Sequence, residues 1–246
     1  MRKRLLIPIV GAAMLAILGG AGAYVYFFSG LRTSPAALAL SSPTPSASGA
    51  ASQSTSTAAA SFAGSWEVGS NSQAGYRVKE QFIGQTSTHE AVARTTSVTG
   101  QLSIAQSGTT YQLRAGTITV QLSSLASVDQ VAGYNVTNRD RIVSRTLDVN
   151  RYPTAVFQAQ AVAISAGAEN GQTVTFSVPG QLIILGVTKT VTATVQLKVS
   201  GSTTAQAVGS ISIHMSDYGI TPPSVPFTTV QTAVTIEFQV NLTKMA

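Results

Sequence analysis

The sequence predicts one all-β domain, a barrel or a sandwich, behind an N-terminal membrane segment and a flexible linker. Three observations predict it. After Phe62 long stretches alternate apolar and polar residues. Clusters of Gly, Asn and Ser interrupt those stretches as turns do. Only 10% of the 246 residues are charged, against ~25% in soluble domains, so the polar surface is built mainly from Ser, Thr, Gln and Gly. With no cysteine, disulfides, thiolate nucleophiles, iron–sulfur clusters, cysteine-bound zinc and an acylated lipoprotein anchor are excluded.

Residues 5–28 carry no charge, follow Arg2, Lys3 and Arg4, and end before Arg32. A bilayer core takes ~20 apolar residues as a helix, so residues 1–31 read as a single-pass transmembrane anchor. The positive-inside rule puts everything after residue 30 outside the cytoplasm. Tyr24, Tyr26, Phe27 and Phe28 would form an aromatic belt at the outer interface. Ala21-Gly22-Ala23 also fits a signal-peptidase site, and cleavage there would make the domain a secreted one. Residues 32–61 read as a linker: from Ser41 to Ser61 every residue but Gln53 is Ser, Thr, Ala, Pro or Gly. No apolar periodicity offsets the entropy of ordering, so the segment is expected to be a flexible tether spanning about 30 Å.

The folded domain is expected over residues 62–246. Gly116, Ile118, Val120 and Leu122 share one face of a strand. Val191 to Val199 and Val234 to Leu242 alternate in the same way. Further strands are expected at 66–68, 74–83, 90–105, 110–122, 155–165, 172–184 and 206–215, with turns at 69–72, 106–109, 166–171 and 200–204. The exception is 138–147, where Val143 and Leu147 are four apart. There a short helix is expected, capped by Asn138, with Asp140 in its first turn, Arg145 towards its end and Pro153 beyond.

Charge points away from nucleic acid. The net charge of +6 includes Arg2, Lys3, Arg4 and Arg32, and downstream eleven Lys/Arg accompany all nine acids. The one basic cluster there, Arg139 to Arg151, also holds Asp140 and Asp148, so no basic groove of the nucleic-acid type exists. Catalytic and cofactor motifs are absent too. His89 and His214 lie 125 positions apart in no metal-binding spacing. No nucleophile elbow, dinucleotide loop or phosphate loop occurs. Asn135-Val-Thr and Asn241-Leu-Thr match the N-glycosylation triplet, a pattern common by chance in a Thr-rich chain. Arg139-Asp140 stands out as either an ion pair holding the helical insertion or an arginine at a cavity mouth.

Several ordered motifs carry a family resemblance. Residues 65–82, SWEVGSNSQAGYRVKEQF, resemble the opening of YceI-like domains, the lipocalin-like, polyisoprenoid-binding family of bacterial extracytoplasmic proteins. The likeness continues through 91–100 (AVARTTSVTG), 138–149 (NRDRIVSRTLDV), 151–157 (RYPTAVF), 180–192 (GQLIILGVTKTVT) and 216–220 (SDYGI). It covers residues 65 to 243. Ile183 and Leu185 stand where the family commonly has Thr and His, and Ile142-Val143 and Thr146-Leu147 replace its frequent His-Leu and Asp-Phe-Phe, so no role resting on those histidines carries over.

The resemblance implies an antiparallel, lipocalin-like β-barrel of about eight strands with a short helix beside its mouth. It implies a lumen that holds a polyprenyl or quinone tail without transforming it. The expected function is therefore a membrane-tethered carrier or storage domain for an isoprenoid or similar lipid, not an enzyme, with no cofactor and no metal. Lumen residues expected from alternation are Tyr76, Val78, Phe82, Phe157, Phe176, Val195, Ile213 and Phe238, with Arg139 meeting the head group. Two other readings fit the residues: a non-catalytic envelope or adhesion module with a solid barrel, and an enzyme using Arg139, Asp140 and His89 on a lipid head group.

Overall fold

The computed structural model describes residues 32–41, 61–83, 87–131, 135–223 and 228–246. The apolar stretch 5–28 lies outside the described residues, and among those described no helix is long and apolar enough to cross a membrane.

Eight strands close into an antiparallel barrel: β2 (Gly64–Val68), β5 (Val98–Ser107), β6 (Thr110–Gln121), β9 (Thr154–Ala159), β11 (Val174–Ile184), β12 (Val187–Ser200), β13 (Thr204–His214) and β14 (Thr228–Lys244). Hydrogen bonds run round the circuit in that order, and β14 pairs with both β13 and β2. Closure removes the free edges on which an antiparallel sheet would otherwise aggregate. Strand β3 (Gln73–Phe82) continues the line of β2 after a break at 69–72 and also pairs with β14. It carries β4 (Thr88–Thr95) and, beyond it, the short β7 (Ala126–Ser127). Strand β10 (Val162–Ile164) lies on β6.

Two expected strands prove to be pairs. The stretch expected at 90–105 is β4 and β5, broken at 96–97, and the one at 155–165 is β9 and β10, broken at 160–161. Neither break, Thr96-Ser97 or Gln160-Ala161, carries the Gly or Pro that would mark a turn. Strands β4 and β5 do not pair with each other. Helix α1 (Thr137–Thr146), together with Leu122 and Leu125, lines the lumen on that side.

The helix forms because Arg139, Ile142, Val143 and Thr146, at i, i+3, i+4 and i+7, all face the lumen, while Arg141 and Arg145 are exposed on the other side. Its start differs from the expected one. Asn138 lies inside the helix, and Asn135 instead accepts from the Thr137 amide at 3.0 Å. Between β11 and β12 the two-residue turn Leu185-Gly186 needs positive φ at both positions, here 53° and 75°. Leu185 tolerates the left-handed backbone because its side chain packs against the core.

Residues 32–41, expected as the start of the linker, lie along the outer wall of the barrel. Arg32–Thr33 (β1) pairs with Gln130–Val131 (β8). Ser34 donates to the Glu90 carbonyl at 2.5 Å, and the Leu38 amide donates to Glu237 at 3.2 Å. The Ser41 amide donates to Gln206 at 2.6 Å. Residues 42–60 lie outside the described residues, but both their flanks sit on the barrel, since Ser61 donates to Gln106 at 2.5 Å. Residues 32–41 therefore lie on the barrel wall, and the Ser/Ala/Thr-rich part of the expected linker falls outside the described residues.

Candidate functional site: an apolar lumen with one charged wall

Alternation turns one face of each strand of the closed barrel inward, and these faces, with β3 and α1, enclose a cavity of about 300 Å³. One end is filled. Trp66 and Phe62 are buried there, and Phe62 stacks on Tyr111 at 3.8 Å between ring centroids. The cavity extends from this plug to the end where β3 and β13 finish, β14 begins and α1 lies, which leaves the helix end as its mouth.

All eight lumen residues expected from alternation line this cavity: Tyr76, Val78 and Phe82 on β3, Phe157 on β9, Phe176 on β11, Val195 on β12, Ile213 on β13 and Phe238 on β14. Two of the aromatic rings rest on glycine. A side chain at Gly180 would approach the Phe157 ring to 2.6 Å, and one at Gly209 the Phe238 ring to 2.5 Å. Glycine at these positions lets the rings lie flat on the wall and keeps the lumen open.

Among the described lining residues only Glu80 and Arg139 carry charge. Arg139 does not pair with its neighbour Asp140, whose carboxylate instead accepts from the Ser127 amide at 3.0 Å and its hydroxyl at 2.6 Å. The Arg139 guanidinium lies between two other acids, 3.1 Å from Glu80 and 2.7 Å from Asp129. Asp129, buried to 2% exposure, also takes the Val92 amide at 3.1 Å and pairs with His89 at 2.7 Å. The expected trio of Arg139, Asp140 and His89 is thus only partly assembled: Arg139 and His89 meet through Asp129, and Asp140 faces the β7 strand.

One cation shared by two acids splits their titration. For Asp129 burial acts to raise the pKa, but the bonds from His89, Arg139 and Val92 outweigh it and hold the carboxyl below its ordinary value. For Glu80 burial wins over the attraction of Arg139 and His89, and its pKa is raised. Burial likewise raises the Tyr76 phenol. Tyr76 is half-exposed by surface area because it borders the cavity, although protein surrounds it. The polar wall therefore presents a fixed cation, a carboxyl displaced towards its neutral, hydrogen-donating form, and a neutral phenol.

No group of three or more metal-ligating side chains occurs among the described residues. His214 is exposed, and its backbone amide donates to Asp217 at 3.3 Å at a strand end. Glu80 was not singled out in the sequence, although it shares the parity of Tyr76, Val78 and Phe82. Asp129 sits in an irregular segment without periodicity and left no such signal.

No functionally curated protein matches the chain. Among solved structures, the chain resembles a polyisoprenoid-binding domain from Saccharophagus degradans implicated in plant cell wall breakdown, at 13% identity and a TM-score of 0.52, covering 73% of this chain and 98% of that one. It also resembles BcnA from Burkholderia cenocepacia, at 18% identity and a TM-score of 0.46, covering 68% and 95%. The family model of the YceI-like domain matches residues 66–242, from the plug tryptophan through every strand of the closed barrel, and the chain belongs to that family.

Proposed function

We propose that this protein is a carrier or storage domain for an isoprenoid or similar long apolar lipid, tethered by residues 5–28 to the membrane with the barrel outside the cytoplasm. The observation that carries the reading is the cavity itself: about 300 Å³, walled by apolar side chains, with its one charged pair beside the mouth. Such a volume falls at the small end of small-molecule sites. A solid barrel would leave no space of this kind. Removing apolar ligand surface from water yields ~25 cal/mol per Å², so a prenyl chain gains affinity from burial along the lumen without specific hydrogen bonds. Tyr76, Glu80 and Arg139 would then meet a polar head group carrying carbonyl or phosphate oxygens. The solved domain from Saccharophagus degradans is described as polyisoprenoid-binding, which agrees with this cargo class.

The test uses residues 32–246, which keep the strap on the barrel wall, purified without detergent. Solvent extraction and mass spectrometry, with native mass measured alongside, should find about one prenyl lipid per chain. Protein that is empty and also refuses added polyprenyl lipid or quinone would overturn the reading.

A further inference from the structure

Residues 32–41 run along the outer wall from the mouth towards the plugged end. At the mouth, Arg32 pairs with Val131 through the backbone and donates to Ser87 at 3.5 Å. Midway, Arg77 and Arg94 donate to the carbonyls of Pro35 and Ala36 at 2.5 and 2.6 Å, and Glu237 accepts from Leu38. At the far end Ser41 bonds Gln206, close to the turn after β12. The direction of this strap fixes which end of the barrel faces the membrane, given the tethered reading proposed above. Only Ser29, Gly30 and Leu31 separate Phe28, the end of the apolar stretch, from Arg32. Four Cα steps span at most about 14 Å. The plugged end lies farther off, since the strap itself takes the nine Cα steps from Arg32 to Ser41 to approach it, up to about 32 Å.

The rim carries matching chemistry. Ile83, directly after the lumen residue Phe82, is 71% exposed. Arg141 and Arg145 project from the outer face of α1, whose inner face lines the lumen. The one acid in the first turn of that helix, Asp140, is held by Ser127. An exposed aliphatic tip at the same end of the barrel as these arginines suits the boundary between acyl chains and phosphates.

We propose that the mouth of the barrel rests on an anionic phospholipid bilayer, Ile83 entering the interface and Arg141 and Arg145 meeting lipid phosphates, so that cargo passes between bilayer and lumen without crossing water. Each contact is weak alone. The short connection to the anchor supplies roughly millimolar effective concentration, which makes a weak contact persistent.

The absence of cysteine makes the test clean. The full chain is reconstituted in phosphatidylcholine–phosphatidylglycerol vesicles with a single cysteine at Ile83, or at Ser107 or Thr203 beside the turns of the plugged end. Each carries an environment-sensitive fluorophore, read against a lipid-borne quencher. The mouth label should be quenched several-fold more than the plugged-end labels, and R141E/R145E should at least halve the difference. Equal quenching at the two ends, or stronger quenching at the plugged end, overturns the proposal. Insensitivity to R141E/R145E overturns the phosphate contacts. Lipid extracted from the same samples separates the two readings. Cargo present with equal quenching removes the docking and keeps the carrier, whereas mouth-first quenching without cargo supports the docking and removes the carrier.

Discussion

Arg139 on α1 and Glu80 on β3 meet at 3.1 Å, joining that helix to the barrel wall at the lumen's charged point. The same guanidinium holds Asp129 at 2.7 Å, and the side chains of all three residues are no more than 8% exposed. Removing one partner of a buried pair leaves an uncompensated charge and costs ~3–5 kcal/mol. Arg139→Met should therefore destabilise the barrel by about that amount. Denaturant titration measures it. A loss under about 1 kcal/mol, the size of an exposed ion pair, would show that the network is not desolvated as the structure has it.

Glu80 and Asp129 respond to pH with opposite sign. The Glu80 carboxyl is raised above its ordinary 4.5 by burial, so the folded state holds its proton more tightly than the unfolded one. Its contribution to stability is full below pH 4.5 and declines as pH rises through the folded value. Asp129 is lowered from 3.8; its contribution is present above pH 3.8 and is lost as pH falls through the folded value. Glu80→Gln removes only the first dependence. The stability of that variant relative to the parent should rise as pH increases from 4.5. A difference that stays flat from pH 4 to 8, by thermal or urea unfolding, would place the Glu80 titration at its ordinary value.

Much of the lumen was legible because a strand has only two faces. Once Val78 and Phe82 point inward, Tyr76 and Glu80 must do so too; on the other strands alternation groups Phe157, Phe176, Val195, Ile213 and Phe238 with their own faces, and register, which the structure supplies, decides that those faces turn inward. The helix was legible from Val143 and Leu147 four apart. The strap was not, because the barrel grips it largely through its backbone: Arg77 and Arg94 reach the carbonyls of Pro35 and Ala36, and Glu237 reaches the amide of Leu38. A segment recognised in that way needs no apolar period or motif, and its composition reads as linker. Asp129 escaped for a related reason. Its partners His89 and Arg139 come from β4 and α1, 40 and 10 residues away, and nothing local signals that they converge.

Glu237 ties the strap to the barrel. It is 3% exposed and takes both Arg77 and Arg94 at 2.7 Å. Burial acts to raise its pKa, but the two arginines and the Leu38 amide outweigh this and lower it from 4.5. Its stabilisation is thus present above pH 4.5 and lost as pH falls through the folded value. Glu237→Gln should cost about 3 kcal/mol and release the strap while the barrel stays closed. Hydrogen exchange at the Leu38 amide reads that release directly. Unchanged protection of Leu38 in the variant would mean that the β1–β8 pairing and Ser41 hold the strap without the carboxylate.

Gly209 and Gly201 separate the two ways a glycine is required. At Gly209 a Cβ would come within 2.4 Å of the Thr194 carbonyl and 2.5 Å of the Phe238 ring. The carbonyl cannot retreat, because Thr194 is paired with Ser210 in the ladder. The ring can move only at the expense of the lumen it lines. Gly209→Ala should therefore cost ~1–3 kcal/mol, as overpacking does, and should also lower lipid occupancy in whatever protein remains folded. Gly201, in the turn after β12, has open space around it but φ +67°. Gly201→Ala should cost ~1–2 kcal/mol for the left-handed backbone and leave occupancy unchanged. The discriminating quantity is bound lipid per folded chain, measured by extraction at matched stability. Equal occupancy in the two variants would show that the Phe238 ring does not limit the lumen.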